Sequence, residues 1–569
     1  MQTKTSRRTF VKGLTAGGIL GGLGLWRAPV WAVTGHGQPN VLSGTEFDLF
    51  IGESPVNFTG SPRTAQTING GIPGPLLRWR EGDTVTLRVR NRLKDTTSIH
   101  WHGILLPANM DGVPGLSFKG IEPDGMYVYQ FKVRQNGTYW YHSHSGFQEQ
   151  SGVYGPLVID AREPEPFQYE RDYVVMLTDW TDEEPDNILR KLKKQSDYYN
   201  YNKRTVGDFI DDVGKNGWAS TVADRKMWAE MKMNPTDLAD VSGATYTYLM
   251  NGQAPDMNWT GLFKPGERLR LRFINGSAMS YFDVRIPGLK MTVVASDGQY
   301  VKPVSVDELR IAVAETYDVI VEPTQEAYTL FAQSMDRTGY ARGTLATRAG
   351  LSAPVPPLDP RPLVTMDDMG MGGMDHGGMG DMAGMDHGAM QGMDNMLSHP
   401  DTENDNPLVD MQAMSVKPKL DDPGMGLRNN GRKVLTYADL RSTFPDPDGR
   451  EPGRTIELHL TGHMEKFAWS FNGVKFSDAA PLLLKYGERL RIVLINDTMM
   501  THPIHLHGMW SDLEDENGQF MVRKHTIDVP PGAKRSYRVT ADALGRWAYH
   551  CHLLYHMEMG MFREVRVQE

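Results

Sequence analysis

The sequence predicts an all-β chain of three antiparallel β-sandwich units, and three observations support this. A unit recurs: Asn69-Gly70 leads to the stretch Gly82–Asn91, Asn251-Gly252 to Gly266–Asn275, and Asn472-Gly473 to Gly487–Asn496. Each stretch alternates apolar and polar residues with basic side chains on the outer face, the period of a half-buried strand. Many short runs of this kind lie between Gly/Pro turns, as in packed antiparallel sheets. A repeat of roughly 200 residues indicates tandem domains, since solenoid periods are far shorter. The length of 569 residues suits three or four domains.

Taken in order, residues 1–32 carry Ser6-Arg7-Arg8-Thr9-Phe10, a mild glycine-rich apolar run to Trp26, and small residues around Val30-Trp31-Ala32. This pattern predicts a twin-arginine export signal and a periplasmic protein exported folded. The run is too short to span a membrane, and no later stretch reaches 18 apolar residues. The first sandwich is expected over 40–165 and the second over 166–350. A charged insertion at 182–235 has no strand period and is expected to be helical, with Met227 and Met231 one turn apart. Their spacing suits ordinary packing or a soft-metal role. Residues 351–430 read as a Met/Gly/Asp/His-rich linker, and 431–569 as the third sandwich. Within the linker, Met366–Met396 holds ten methionines in 31 residues. It lacks the bulky side chains for a core and is expected to be a disordered insertion. Thioethers select Cu(I), so Met374, His376, Met379, Met385, His387 and Met390 are candidates for copper capture. An inert low-complexity linker is the alternative.

The chemistry concentrates in histidine. Of 17 histidines, ten fall in four short segments: His100-Trp-His102-Gly, His142-Ser-His144, His502-Pro-Ile-His505-Leu-His507-Gly, and His550-Cys551-His552 continuing to His556 and Met561. On a strand, alternate side chains share a face, so each HxH pair presents two imidazoles together. In the last segment the only cysteine, Cys551, faces away from His550 and His552. Thiolate, imidazole and a weak thioether form a blue-copper donor set, so one strand can serve two metal centres. From Asn91 and from Asn496 the first histidine pair lies nine and eleven residues on. The same steps from Asn275 reach Val284 and Ile286, so the middle unit has no ligands there and reads as a spacer. Ser143 stands where Cys551 stands in the third unit. The first and third units must therefore meet face to face.

These segments, in this order, closely resemble the ligand motifs of the multicopper oxidases, and with the methionine stretch and export signal they resemble that family's periplasmic copper-resistance group. The resemblance implies cupredoxin-like domains and four catalytic copper ions. It assigns His502, Cys551, His556 and axial Met561 to the type 1 ion, and His100 and His505 to the type 2 ion. It assigns His102, His142, His144, His507, His550 and His552 to the type 3 pair. It further implies a proton-relay carboxylate at Asp111, although a turn-forming Asp before Gly explains that residue equally simply. A second relay found in some relatives is missing, because Met557 occupies its place.

The expected reaction is one-electron oxidation of Cu(I), and of phenols, coupled to reduction of O₂ to water, in the service of copper resistance. Met499 and Met500, just before His502, are candidates for holding substrate copper. A copper-sequestering protein with incidental phenol oxidation is the alternative. The net charge of −10 argues against nucleic-acid binding. A single cysteine excludes an intramolecular disulfide. A monomer is expected, with a periplasmic copper carrier as a candidate partner.

Overall fold

The structure, a computed structural model, describes residues 40–372 and 397–569. The expected export signal and Met374, His376, Met379, Met385, His387 and Met390 lie outside these residues. The fold is all-β: each repeat forms two sheets packed face to face. In the first unit a five-stranded sheet runs in the order Val41–Ser43, Leu76–Arg80, Tyr154–Asp160, Gly137–His142, His100–His102, against a four-stranded sheet. The middle and third units each pair a six-stranded with a five-stranded sheet. In the third unit's smaller sheet, His502–Leu506 lies between Gly545–Cys551 and Thr526–Val529.

The threefold repeat is visible atom by atom. Asn69, Asn251 and Asn472 all adopt left-handed φ, between 49° and 52°, as a tight Asn-Gly turn requires. Asn91, Asn275 and Asn496 end equivalent strands, and each amide ties down the loop that follows. Their Nδ2 groups donate to Asp95 and Ile121, to Ser280 and Ile311, and to Met500 and Val529 carbonyls, at 2.7–3.1 Å. Their Oδ1 atoms accept from the backbone two residues on. This loop leads to a histidine pair in the outer units. In the middle unit the corresponding Val284 and Ile286 are core residues with 0% and 1% exposure.

Buried polar contacts join the units. Lys524 of the third unit reaches Asp297 at 3.0 Å and Glu315 at 3.1 Å in the middle unit, all three side chains being buried. Thr138 of the first unit accepts from Arg272 Nη1 at 2.9 Å. The segment 182–235 contains three helices, Pro185–Lys194, Val206–Asn216 and Trp218–Glu230. Residues flanking the undescribed stretch are packed: Met369 is buried, as are Met411, Leu420 and Leu427. The expected disordered insertion thus does not begin at Met366. Its first turn is held by Met371 N donating to Met366 O at 2.9 Å. Beyond it, Glu308 bridges Val434, so this part of the chain pairs with the middle unit before the third unit's first strand at Thr455.

Asn275 shares the turn-anchoring role in the unit whose loop carries no histidine pair. Asn275→Ala removes three hydrogen bonds and strands buried backbone groups. It should lower the thermal midpoint by roughly 5 °C, read by calorimetry.

Candidate metal centre

Strand register decides which side chains meet. His100 pairs directly with His142 in the first unit, and His505 with His550 in the third. Eight imidazoles from the two units converge in one buried place. His100 stacks on His507 with ring centroids 3.9 Å apart, and His102 on His505 at 3.8 Å. The glycines that close both HxHG motifs are needed for this approach. Gly103 has φ +78°, and a Cβ there would lie 2.4 Å from His525 Cδ2. Gly508 has φ +75°, and a Cβ would lie 2.4 Å from Trp547.

The hydrogen bonds fix which nitrogen of each ring carries the proton. His100 Nδ1 donates to Asp111 O (2.8 Å), His142 Nδ1 to Ser143 O (3.0 Å), His505 Nδ1 to His525 O (2.5 Å) and His550 Nδ1 to Cys551 O (2.9 Å). His507 Nδ1 donates to the Asp111 carboxylate at 2.9 Å. A neutral imidazole with Nδ1 protonated has its lone pair on Nε2. Those Nε2 atoms point inward, and for His100, His142 and His505 they have no partner; neither have Nε2 of His144 and His552. His507 and His550 set their two lone-pair nitrogens 3.1 Å apart. His102 is reversed: Nε2 faces His525 and Thr526, and Nδ1 is unpartnered. Unsatisfied buried acceptors aimed at one another are costly, and metal cations bound to these nitrogens would remove the conflict. The donor set fits copper.

A second donor set lies on the other side of Cys551. Cys551 Sγ is 3.6 Å from His502 Nδ1 and 3.9 Å from His556 Nδ1, and the two Nδ1 atoms are 3.2 Å apart. Thr498 Oγ1 lies 2.7 Å from His502 Nε2, and Asp240 Oδ2 lies 2.7 Å from His556 Nε2. Trp469 stacks on His556 at 3.8 Å. Burial pushes the Cys551 thiol well up, so a bound cation is what makes the thiolate available. Met561 is fully buried, and its carbonyl accepts from Cys551 N at 3.1 Å.

The middle unit places core residues where the outer units carry their first histidine pair, but it does more than space the other two units. It supplies Asp240, and Ala278 O accepts from Leu554 N at 3.0 Å in the short helix Leu554–Glu558 that carries His556. Asp179 in turn holds the Ala278–Ser280 loop through three hydrogen bonds. Asp111 is buried between His100 and His507, with Oδ1 otherwise unpartnered, so the turn alone does not account for it. Met499 and Met500 are 1% and 2% exposed, which makes them core residues and not a landing site for an incoming ion. Met557 and Met559 are only partly buried.

Sequence reasoning missed three partners. His525 contacts His102; Glu149 Oε2 lies 2.7 Å from His142 Nδ1; Asp240 holds His556. Asp240 carries no motif. Glu149 follows His144 closely enough to have been noticed as a carboxylate beside a ligand segment.

This constellation on this fold defines a multicopper oxidase. Multicopper oxidase family models match residues 51–164, 171–350 and 449–569, and the chain belongs to that family. It is 79% identical to the copper resistance protein A homolog of Pseudomonas syringae pv. tomato and 74% identical to copper resistance protein A of Escherichia coli, each over the full length of both chains. Among solved structures it is similar to Fet3p, a multicopper oxidase that functions in iron import. That match has a TM-score of 0.65 and 19% identity, covering 93% of this chain and 91% of that one, a likeness in fold.

Burial and neighbouring imidazoles hold His102, His142, His144, His505, His507 and His552 well below the ordinary 6.5, and His550 at about 4. The unfolded chain binds protons at these positions below pH 6.5, whereas the folded, metal-free chain does not. Stability of the copper-free protein should therefore fall steeply as pH drops from 6.5 towards 4. Urea titrations at stepped pH measure this, and copper loading should raise the whole curve without reducing its slope, because metal-bound imidazoles hold no more protons than the folded metal-free ones.

Proposed function

We propose that the chain is a periplasmic oxidase that takes electrons singly from Cu(I), and from phenols, and uses four of them with four protons to convert O₂ to two waters. The observation that carries this reading is the split at Cys551: one strand serves a thiolate–imidazole set on one side and the eight-imidazole set on the other. His502, Cys551, His556 and Met561 would hold the type 1 ion. His100 and His505 would hold the type 2 ion, and His102, His142, His144, His507, His550 and His552 the type 3 pair. When bound, copper supplies the one-electron redox chemistry and the binding of O₂.

The chain's own residues do the rest. Asp240 and Thr498 orient His556 and His502 so that both Nδ1 atoms face Cys551. The backbone from Cys551 to His550 and His552 gives a short covalent path between the donor sets. Asp111 touches histidines of both units and keeps a free carboxylate oxygen in the buried site, where it can hold and pass a proton. The packed sheets exclude water from the imidazoles, which are 0–3% exposed except the half-buried His144.

The 79% relative's name supports a role in copper resistance, with Cu(I) as the physiological donor. In this reading the methionine-rich stretch collects Cu(I) by its thioethers and raises its concentration near the type 1 donors. A periplasmic copper carrier is the expected source of the ion, and the oxidase is expected to act as a monomer. No helix among the described residues is long and apolar enough to cross a membrane.

Two outcomes follow. Cys551→Ser should abolish the blue colour and lower oxygen uptake by more than ~10³-fold; a colour that survives would falsify the type 1 assignment. Removing residues 373–396, which spares the packed Met369 and Met371, should raise the apparent KM for Cu(I) about tenfold. Phenol-dependent uptake and the blue band should be unchanged. Equal effects on both donors, or none on Cu(I), would reduce the stretch to a linker.

A further inference from the structure

The third unit contains a second cluster of metal-ligating side chains that the oxidase site does not use. His459 lies on the strand Thr455–His463, and Asp497 directly follows the neighbouring strand Arg489–Asn496, with Leu460 paired to Asn496. His399 and Glu403 come from the described segment that begins at Leu397. That segment is pinned over the sheet by Thr402 Oγ1 donating to Asn472 O at 2.7 Å and Asn406 Nδ2 donating to Gly473 O at 2.9 Å.

The four side chains face one another. His399 Nδ1 is 3.2 Å from Glu403 Oε2 and 3.4 Å from Asp497 Oδ2. His459 Nδ1 is 2.6 Å from Asp497 Oδ2 and 3.7 Å from Glu403 Oε1. Donors around a four-coordinate ion with bonds of about 2.1 Å stand roughly 3.4 Å apart, so little movement is needed to bind one. Glu403, His459 and Asp497 are 1–3% exposed, yet Glu403 Oε1, beside the cluster, has no hydrogen-bond partner. His399 keeps 12% of its side chain exposed and opens the cluster to solvent. A buried carboxylate oxygen left in this way is costly, and among the described residues none donates a hydrogen bond to it.

We propose that His399, Glu403, His459 and Asp497 form a further copper site that takes Cu(II). Two imidazoles and two carboxylates suit the divalent ion, whereas Cu(I) favours thioethers. The identity of the ion rests on the cuprous-oxidase reading, in which Cu(II) is the product. Along the chain the site begins three residues after Met396, and Asp497 is followed by Thr498, whose hydroxyl holds His502. A bound ion would also staple the segment carrying His399 and Glu403 to the third unit. The competing arrangement is two protonated imidazoles between two carboxylates; the carboxylates raise His399 to about 10 and also raise His459. Protons and a metal ion would compete for the two imidazole nitrogens that face the carboxylates.

The test uses copper-loaded full-length protein, with His399→Ala and Glu403→Gln variants beside it. Equilibrium dialysis against Cu(II) at pH 7, with metal counting and electron paramagnetic resonance, should show about one ion more in the unaltered protein than in either variant. That ion's signal should carry coupling to two nitrogens. Copper on the methionine-rich stretch is common to all three proteins and cancels in the difference. Equal copper counts in all three, with unchanged circular dichroism and blue band, would overturn the site. Glu403→Gln keeps the shape of the side chain and guards against misfolding of the alanine variant. Oxygen uptake with Cu(I) on the same samples separates the two readings. Uptake without a difference in ion count keeps the oxidase and removes the site. A lost ion without Cu(I)-dependent uptake in the unaltered protein keeps the site and removes the product role.

Discussion

Everything in this molecule depends on the alternation of side chains along the strand Gly545–Cys551 and its register against His502–Leu506. Ile504 faces Cys551 and His505 faces His550. A one-residue slip would exchange the faces, sending the thiol into the imidazole cluster and the imidazoles toward Trp469 and His556. The register is secured at both ends. Asn496 anchors the loop before His502, and Gly508 lets the following turn pass against Trp547.

The second constraint is electrostatic. Eight imidazoles in a dry interior cannot all be charged, and burial keeps most of them neutral. Neutrality alone leaves lone pairs with nothing to accept, so the geometry is strained without cations and relaxed with them. Backbone carbonyls hold Nδ1 of His100, His142, His505 and His550. This economical choice adds no further charge to the site. Two carboxylates are the exceptions: Asp111 lies between histidines of two different units, and Glu149 Oε2 lies 2.7 Å from His142 Nδ1. The middle unit contributes no imidazole but carries the aspartate that orients His556. Its loss of ligands and its gain of a positioning role go together.

Much of this was legible in the sequence, because periodic features are local. The Asn-Gly turns, the alternating strands and the HxH pairs each occupy fewer than a dozen consecutive residues, and the ten histidines of the four motifs do converge as two donor sets. The partners that orient them were not legible. Asp240 and His525 reach the sites from elements distant in sequence, with no spacing to betray them, and their position depends on how three units dock. Met499 and Met500 misled because a thioether near a ligand in sequence can still be core. Met369 and Met371 misled similarly, since composition does not reveal that a packed turn precedes the richest part of the stretch. The cluster of His399, Glu403, His459 and Asp497 draws on three separated segments and has no motif at all.

The central claim is that the two faces of one strand serve separate centres in series. The most direct measurement is stopped-flow reoxidation of the His142→Ala variant, reduced anaerobically and then mixed with O₂. His142 faces only the imidazole cluster, so the oxidised variant should keep its blue band, while return of that band after mixing should slow by at least ~10²-fold. A variant that loses the blue band yet still consumes O₂ at the unaltered rate would contradict the account.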